Sequence, residues 1–211
     1  MNIKDFHGKE ILDQVIKKAG YPSLLHLVAE NTLFTHPETV KRTGNKNLFR
    51  TVRDFPQRGK IIDWSDNIKV MCCDNEGPNR AFVWCNGDFK YSEVQFNHIY
   101  SDSQNVDIYT SIANLCVTPA FTAKLTDTDE EIKQLLRYRA FDLYGFYQGN
   151  IPLKPSNYSS LNWKPFLPVI NDLETYLLKR LNECKKSRSA ISAREIGWFF
   201  SDFKPDNRIK T

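Results

Sequence analysis

Asn97 and His98 stand side by side at the end of an alternating, strand-like run, Val94-Gln95-Phe96-Asn97-His98-Ile99. An imidazole titrates near neutral pH and can take a proton from water. An amide oxygen can coordinate a hard cation, although it brings no charge to the site. Neighbouring strand residues point to opposite faces, so the pair converges only at a strand end or bend, which Ile99-Tyr100-Ser101 can supply. About sixteen residues further on, Ala113-Asn114-Leu115-Cys116 opens a segment read here as the start of a helix. A third reactive grouping is basic: Lys41, Arg42, Lys46, Arg50, Arg53, Arg58 and Lys60 face the single acid Asp54 within residues 41–60. Local positive density of this kind suits phosphate neutralisation, because each contact releases condensed counterions.

The segment 85–124 resembles the HNH, or ββα-metal, nuclease motif, in which a hairpin, a loop and a helix close around one divalent cation. The resemblance implies that His98 is the general base that activates water. It puts Asn97 at the metal-ligand position that is commonly Asp, and Asn114 at the central Asn that pins the loop by side-chain-to-backbone hydrogen bonds. Leu115-Cys116 and Lys124-Leu125-Thr126 continue the same pattern. The helix position of the final ligand is read as Pro119, Ala120 or Phe121, none of which binds metal, so Asp102, Asp107 or Asp127 would have to substitute. The implied function is a DNA endonuclease, of restriction type or from a mobile element, that uses Mg²⁺ or a similar divalent ion. The basic segment would hold the duplex backbone.

Two other constellations compete. Asp74 follows a strand-like run at 70–73, and Asp88-Phe89-Lys90 lies beyond it, an arrangement that resembles the PD-(D/E)xK phosphodiesterases. A degenerate HNH fold without catalysis would be a module binding nucleic acid or protein. His26 and Glu30 share a helix face at i, i+4 but lack a second His, and read as a surface pair or a helix contact. No GxGxxG, GxxxxGK[ST] or GxSxG occurs, which leaves nucleotide-binding folds and serine hydrolases without support.

The elements that must position these residues change character along the chain. Helical spacing covers residues 8–19, 24–31 and a start at Pro37, with a further short helix at 47–54. Short β-branched and aromatic runs at 61–64, 69–73 and 81–85 read as strands, and Asn86-Gly87 as a hairpin joining 81–85 to 93–100. From Asp127 helices return, capped by Thr126 or Thr128, with an amphipathic stretch at 169–182 and a last helix from Ser192. The expected fold is α+β: mostly helical, with a small central antiparallel sheet or hairpin and a ββα-metal-like core. The expected organisation is a helical, basic region at 1–60, a strand-rich core at 61–126 and a helical region at 127–211, within one compact domain.

The 211 residues carry a net charge of +4 and five cysteines, an odd number with no CxxC pair, which argues against a disulfide framework or a structural zinc. No apolar run of roughly eighteen residues exists and the first residues lack a signal-peptide core, so a soluble, cytoplasmic protein with no membrane partner is expected. DNA is the expected partner, and a homodimer is compatible with the sequence.

Overall fold

The computed structural model describes residues 7–45, 48–65, 68–73 and 75–197. The chain is an α+β fold built on two small sheets. Three helices come first: α1 (Gly8–Lys18), α2 (Leu24–Asn31) and α3 (Pro37–Arg42). Pro37 presets the first turn of α3, and the His36 ring accepts from the Glu38 N–H at 3.1 Å.

One sheet has the order β1 (Leu33–Phe34), β6 (Leu115–Pro119), β5 (Val94–His98), all antiparallel. Its register sets Asn97 opposite Cys116 and His98 opposite Leu115. Helix α6 (Ala120–Thr128) leaves directly from the end of β6. The other sheet has the order β2 (Thr51–Arg53), β4 (Lys69–Cys73), β3 (Ile61–Asp63), with β2 parallel and β3 antiparallel to β4. Helix α4 (Glu76–Cys85) links the sheets, and α5 (Val106–Tyr109) with a 3₁₀ turn at Ile112–Asn114 fills the connection from β5 to β6. Helices α7 (Glu130–Tyr144), α8 (Leu173–Glu183) and α9 (Arg188–Ile196) follow. The larger of two apolar clusters among the described residues runs from Ile16 and Val28 through Trp84 and Leu115 to Leu177 and Ile196, so all three sequence regions share it. Among the described residues no helix is long and apolar enough to cross a membrane.

Several expected elements differ. Residues 81–85 belong to α4 rather than to a strand: Ala81, Phe82, Val83, Trp84 and Cys85 are all buried, so the run has no period to read. Asn86-Gly87 ends that helix instead of turning a hairpin. The Asn86 side chain donates back to the Phe82 carbonyl at 2.8 Å, and Gly87 takes a φ of 84° that a Cβ would oppose. The strand paired with β5 is therefore β6, which had been read as the opening of a helix. Thr51–Arg53 is strand rather than helix. Helix α7 is capped by Asp129, whose carboxylate accepts from Glu131 and Ile132, while Thr126 and Thr128 bond back into α6. The last helix among the described residues, α9, is capped by Ser187 and runs from Arg188 rather than opening at Ser192, and the expected continuation through Trp198, Phe199 and Phe200 lies outside the described residues.

Candidate functional site

Strand β5, the loop after it at Ser101 and Ser103, Tyr109 of α5, Arg53 of β2 and α6 enclose a cleft of about 470 Å³, lined by Asn97, His98, Lys124 and Asp127 among others. Ala120, Ala123, Lys124 and Asp127 lie on it at i, i+3, i+4 and i+7, the spacing of one helix face. The face of α6 that meets the strand residues is thus carried by 120, 123, 124 and 127, and not by Pro119 or Phe121. Phe121 points to solvent.

The loop that delivers His98 is pinned from inside. Asn114 is fully buried, its Oδ1 accepts from the Tyr100 N–H at 2.8 Å, and its Nδ2 donates to the Tyr100 and Ile108 carbonyls at 3.0 Å each. All its hydrogen-bonding capacity toward these chains is main-chain, which fixes the exit of β5 against α5. Asn45 supports the same loop: its Oδ1 accepts from the Ser111 hydroxyl and the Ala113 N–H. Asn45 adopts a φ of 60°, a conformation that Asn tolerates better than most side chains. Asn45 lay in plain view as a turn residue after Gly44, but nothing in its neighbourhood signalled a partner 66 residues away.

Asn97 sits where its two amide hydrogens are used by the protein, on Thr118 Oγ1 at 2.8 Å and the Gln95 carbonyl at 3.3 Å. A carbonyl can only accept, so this partner fixes the amide orientation and directs Nδ2 inward. Oδ1 keeps its lone pairs for the cleft.

His98 stacks flat on Tyr109, with ring centroids 4.5 Å apart and planes 13° from parallel. Its Nε2 is shielded from solvent and has no protein partner, so the hydrogen bond to the Tyr109 main chain falls to Nδ1. That bond fixes the tautomer with the proton on Nδ1 and the lone pair on Nε2. Burial pushes the imidazole pKa down to about 4; the Tyr109 bond opposes this, and the charge of Arg53 adds to it. At neutral pH the ring is uncharged and able to accept a proton. Tyr109 is itself held by its hydroxyl, which donates to Asn75 Oδ1 at 3.0 Å.

The remaining basic residues separate. Arg53 reaches the cleft with its guanidinium 4.9 Å from the Phe55 ring centroid. Arg42 is committed elsewhere: it donates to the Ile170 and Asn171 carbonyls and pairs with Glu38. Lys41 lines a different groove beside Tyr144, and Arg58 lines a cleft against α9. Arg50 is half-buried and engaged, and Lys60 is exposed. Lys46 and Asp74 lie outside the described residues. Among the described residues of the basic segment, then, Arg53 is brought to His98 and the others are not. In the rival constellation the Asp88 carboxylate is occupied by the Tyr176 hydroxyl and by Arg180. His26 hydrogen-bonds Ser23 rather than facing Glu30 across a site.

Among the described residues no group of three or more His, Cys, Asp or Glu could hold a metal ion. Cys85 and Cys116 are both buried, and burial pushes their thiols up to about 12, so neither offers a thiolate to zinc. The cleft does present the Asn97 amide oxygen and the Asp127 carboxylate. An amide oxygen and a carboxylate are donors of the type that would hold Mg²⁺, an ion that keeps most of its waters.

No protein-family model matches this chain, and no curated protein or solved structure matches it significantly.

Proposed function

We propose that this chain is an endonuclease that hydrolyses DNA phosphodiester bonds at the His98 cleft, as the resemblance to the ββα-metal nucleases implies. The observation that carries the reading is one cleft, lined from β5, the loop that Asn114 pins, α6 and β2, that gathers a neutral imidazole, a free amide oxygen, a carboxylate and two cations.

His98 Nε2, shielded in the free protein, takes the proton of the attacking water once substrate entry shifts the ring edge toward the cleft, while Nδ1 stays bonded to the Tyr109 main chain. A pKa near 4 makes the free enzyme's imidazole a weak base. A phosphodiester anion entering the cleft favours the protonated ring and raises that pKa toward working pH. Arg53 and Lys124 bind the non-bridging oxygens and offset the negative charge that grows as the fifth oxygen approaches phosphorus. Asn97 and Asp127 are the residues that would hold Mg²⁺, which when bound supplies Lewis-acid stabilisation of the leaving oxygen. Asn114 touches no substrate and acts by holding the backbone that carries His98.

Plasmid nicking with Mg²⁺ or Mn²⁺ tests this. His98→Ala is expected to lower the rate by about 10²–10⁴, the usual worth of a positioned general base, and Asp127→Asn to raise the Mg²⁺ concentration needed for half-maximal rate. Cleavage that is unchanged in the His98→Ala protein sinks the proposal. A second reading, a module that binds DNA without cutting it, draws on the lack of a three-residue ligand group among the described residues. It predicts salt-sensitive binding with no nicking under any divalent ion.

A further inference from the structure

A second cleft, of about 480 Å³, opens between β4, α4 and the start of α9, away from His98. Among the described residues three arginines line it, Arg58, Arg80 and Arg188, against one carboxylate, Glu76. Arg58 and Glu76 already have interactions of their own. Arg80 and Arg188 are exposed, and among the described residues neither is ion-paired. Two uncompensated guanidiniums facing one cavity repel each other, and an anion between them relieves that repulsion.

Arg188 is placed by backbone. Gly59 has a φ of 86°, and a Cβ built on it would sit 3.0 Å from Arg188 Nη1, so the guanidinium rests directly on the glycine. Any side chain at 59 would displace it and would also strain the turn. The start of α9 adds donors. Ser187 caps the helix by accepting from the Ala190 N–H, and Ile191 N–H reaches the Ser187 carbonyl. The main-chain N–H groups of Arg188 and Ser189 are left without a protein acceptor.

An independent sign of a ligand comes from Trp84. It lines the same cleft at 1 % exposure, and its indole N–H has no hydrogen-bond acceptor in the protein. Burying such a donor unpaired is unfavourable unless something else accepts from it.

We propose that this cleft binds a phosphate group through Arg80, Arg188, the first N–H groups of α9 and the Trp84 indole. A tetrahedral dianion or a diester presents several acceptor oxygens at once, and planar guanidiniums match that geometry bidentately. The phosphate has two sources with the same chemistry, a free nucleotide or the backbone of a strand. The proposal stands apart from hydrolysis at His98, since none of these groups lines that site.

Calorimetric titration of the full chain with deoxyadenosine monophosphate and with a short single-stranded oligonucleotide tests it. The Arg80→Gln, Arg188→Gln double variant is expected to bind ten- to a hundredfold more weakly than the wild type, with circular dichroism unchanged because both side chains are exposed and unpaired. Trp84→Phe removes the donor while keeping a ring, and is expected to lose about tenfold if it folds; the arginine variant decides the matter if it does not. Binding of the mononucleotide identifies a free nucleotide, and binding of the oligonucleotide alone identifies a strand. His98→Ala retains this binding, which separates the two clefts. Equal binding by the wild type and the double variant, or binding of neither ligand by the wild type, overturns the proposal.

Discussion

The two sheets solve different problems. Sheet β1-β6-β5 lies in the main core, with Phe96, Leu115, Cys116 and Val117 buried and a network of buried amides behind its cleft. Sheet β2-β4-β3 closes over a cluster of only Val52, Val70 and Cys72, and the cleft on its far side is rimmed by exposed arginines. A base must be held to within a fraction of an ångström and keep one tautomer, which demands a second layer of fixed hydrogen bonds. Holding an anion asks only for charge and a few donors, which flexible side chains can provide. On the proposed reading, the first sheet suits reaction and the second attachment.

The sharpest way to break that contrast is to remove Asn114. Asn114→Ala strips the Tyr100 N–H and two carbonyls of their partners in a fully buried place. At 1–3 kcal/mol for each unsatisfied group, partly relieved by relaxation, the loss is on the order of 4 kcal/mol. Urea denaturation measures it. Val52→Ala, equally buried but in the three-residue cluster of the other sheet, is expected to cost about 2 kcal/mol. If the two substitutions cost the same, the first cleft is no better fixed than the second.

A pH series comes next in size. His98 has a folded pKa of about 4 and an ordinary value of 6.5. Between these the unfolded chain binds a proton that the folded chain refuses, so stability falls as pH drops from 6.5 toward 4. The full difference approaches roughly 3 kcal/mol. His98→Gln is expected to abolish this component, and the wild type minus variant difference isolates it from the carboxylates that titrate in the same range. A difference flat across pH 4–6.5 would show an imidazole that is wetter than its stacked position under Tyr109 allows.

Asn97→Asp sharpens the metal question. A carboxylate at 97 loses the two donations to Thr118 and the Gln95 carbonyl, and without metal should cost about 2 kcal/mol. It also supplies the charge that the amide lacks, so Mg²⁺ should restore much of the loss. The readout is Tm with and without Mg²⁺, and a variant that gains no more from the ion than the wild type removes position 97 as a ligand.

Much of this was legible in the sequence, for stated reasons. Helix α2 and strands β3 and β4 carry clean periods and ends, and Asn97, His98 and Arg53 were already candidates that the fold brings to one cleft. The failures cluster in segments buried on every side. Residues 81–85 and 115–118 are continuous buried runs, one a helix and one a strand, and hydrophobic pattern cannot separate them. Asn86-Gly87 then misled, because the same dipeptide serves a hairpin and a helix end. Placing the helix too early put the expected ligand at 119–121 and hid the face that α6 presents. The Asn45 bonds were illegible for another cause: they tie it to the Ser111 hydroxyl and the Ala113 N–H, 66 and 68 residues away, and nothing beside Gly44 marks those partners.

The smallest expected effect concerns the groove between the two clefts, which shares Arg53 with the first and Arg80 with the second. Phe55 and Tyr91 line it at 60 % and 52 % exposure. Arg53 lies on one face of Phe55, leaving the other open, and Tyr91 meets Phe96 edge-on at 5.2 Å, which steadies its ring. Aromatic faces that water covers only poorly are what unpaired bases stack on, at about 1 kcal/mol for an exposed ring. Phe55→Ala should therefore leave the urea midpoint unmoved, because so little of the ring is buried, and weaken a single-stranded oligonucleotide about fivefold while sparing a blunt duplex. Equal weakening of both forms would make Phe55 a mere prop for Arg53, and the groove a phosphate path without a place for bases. A loss confined to the single strand would mean that the two clefts are engaged by one continuous, unpaired chain.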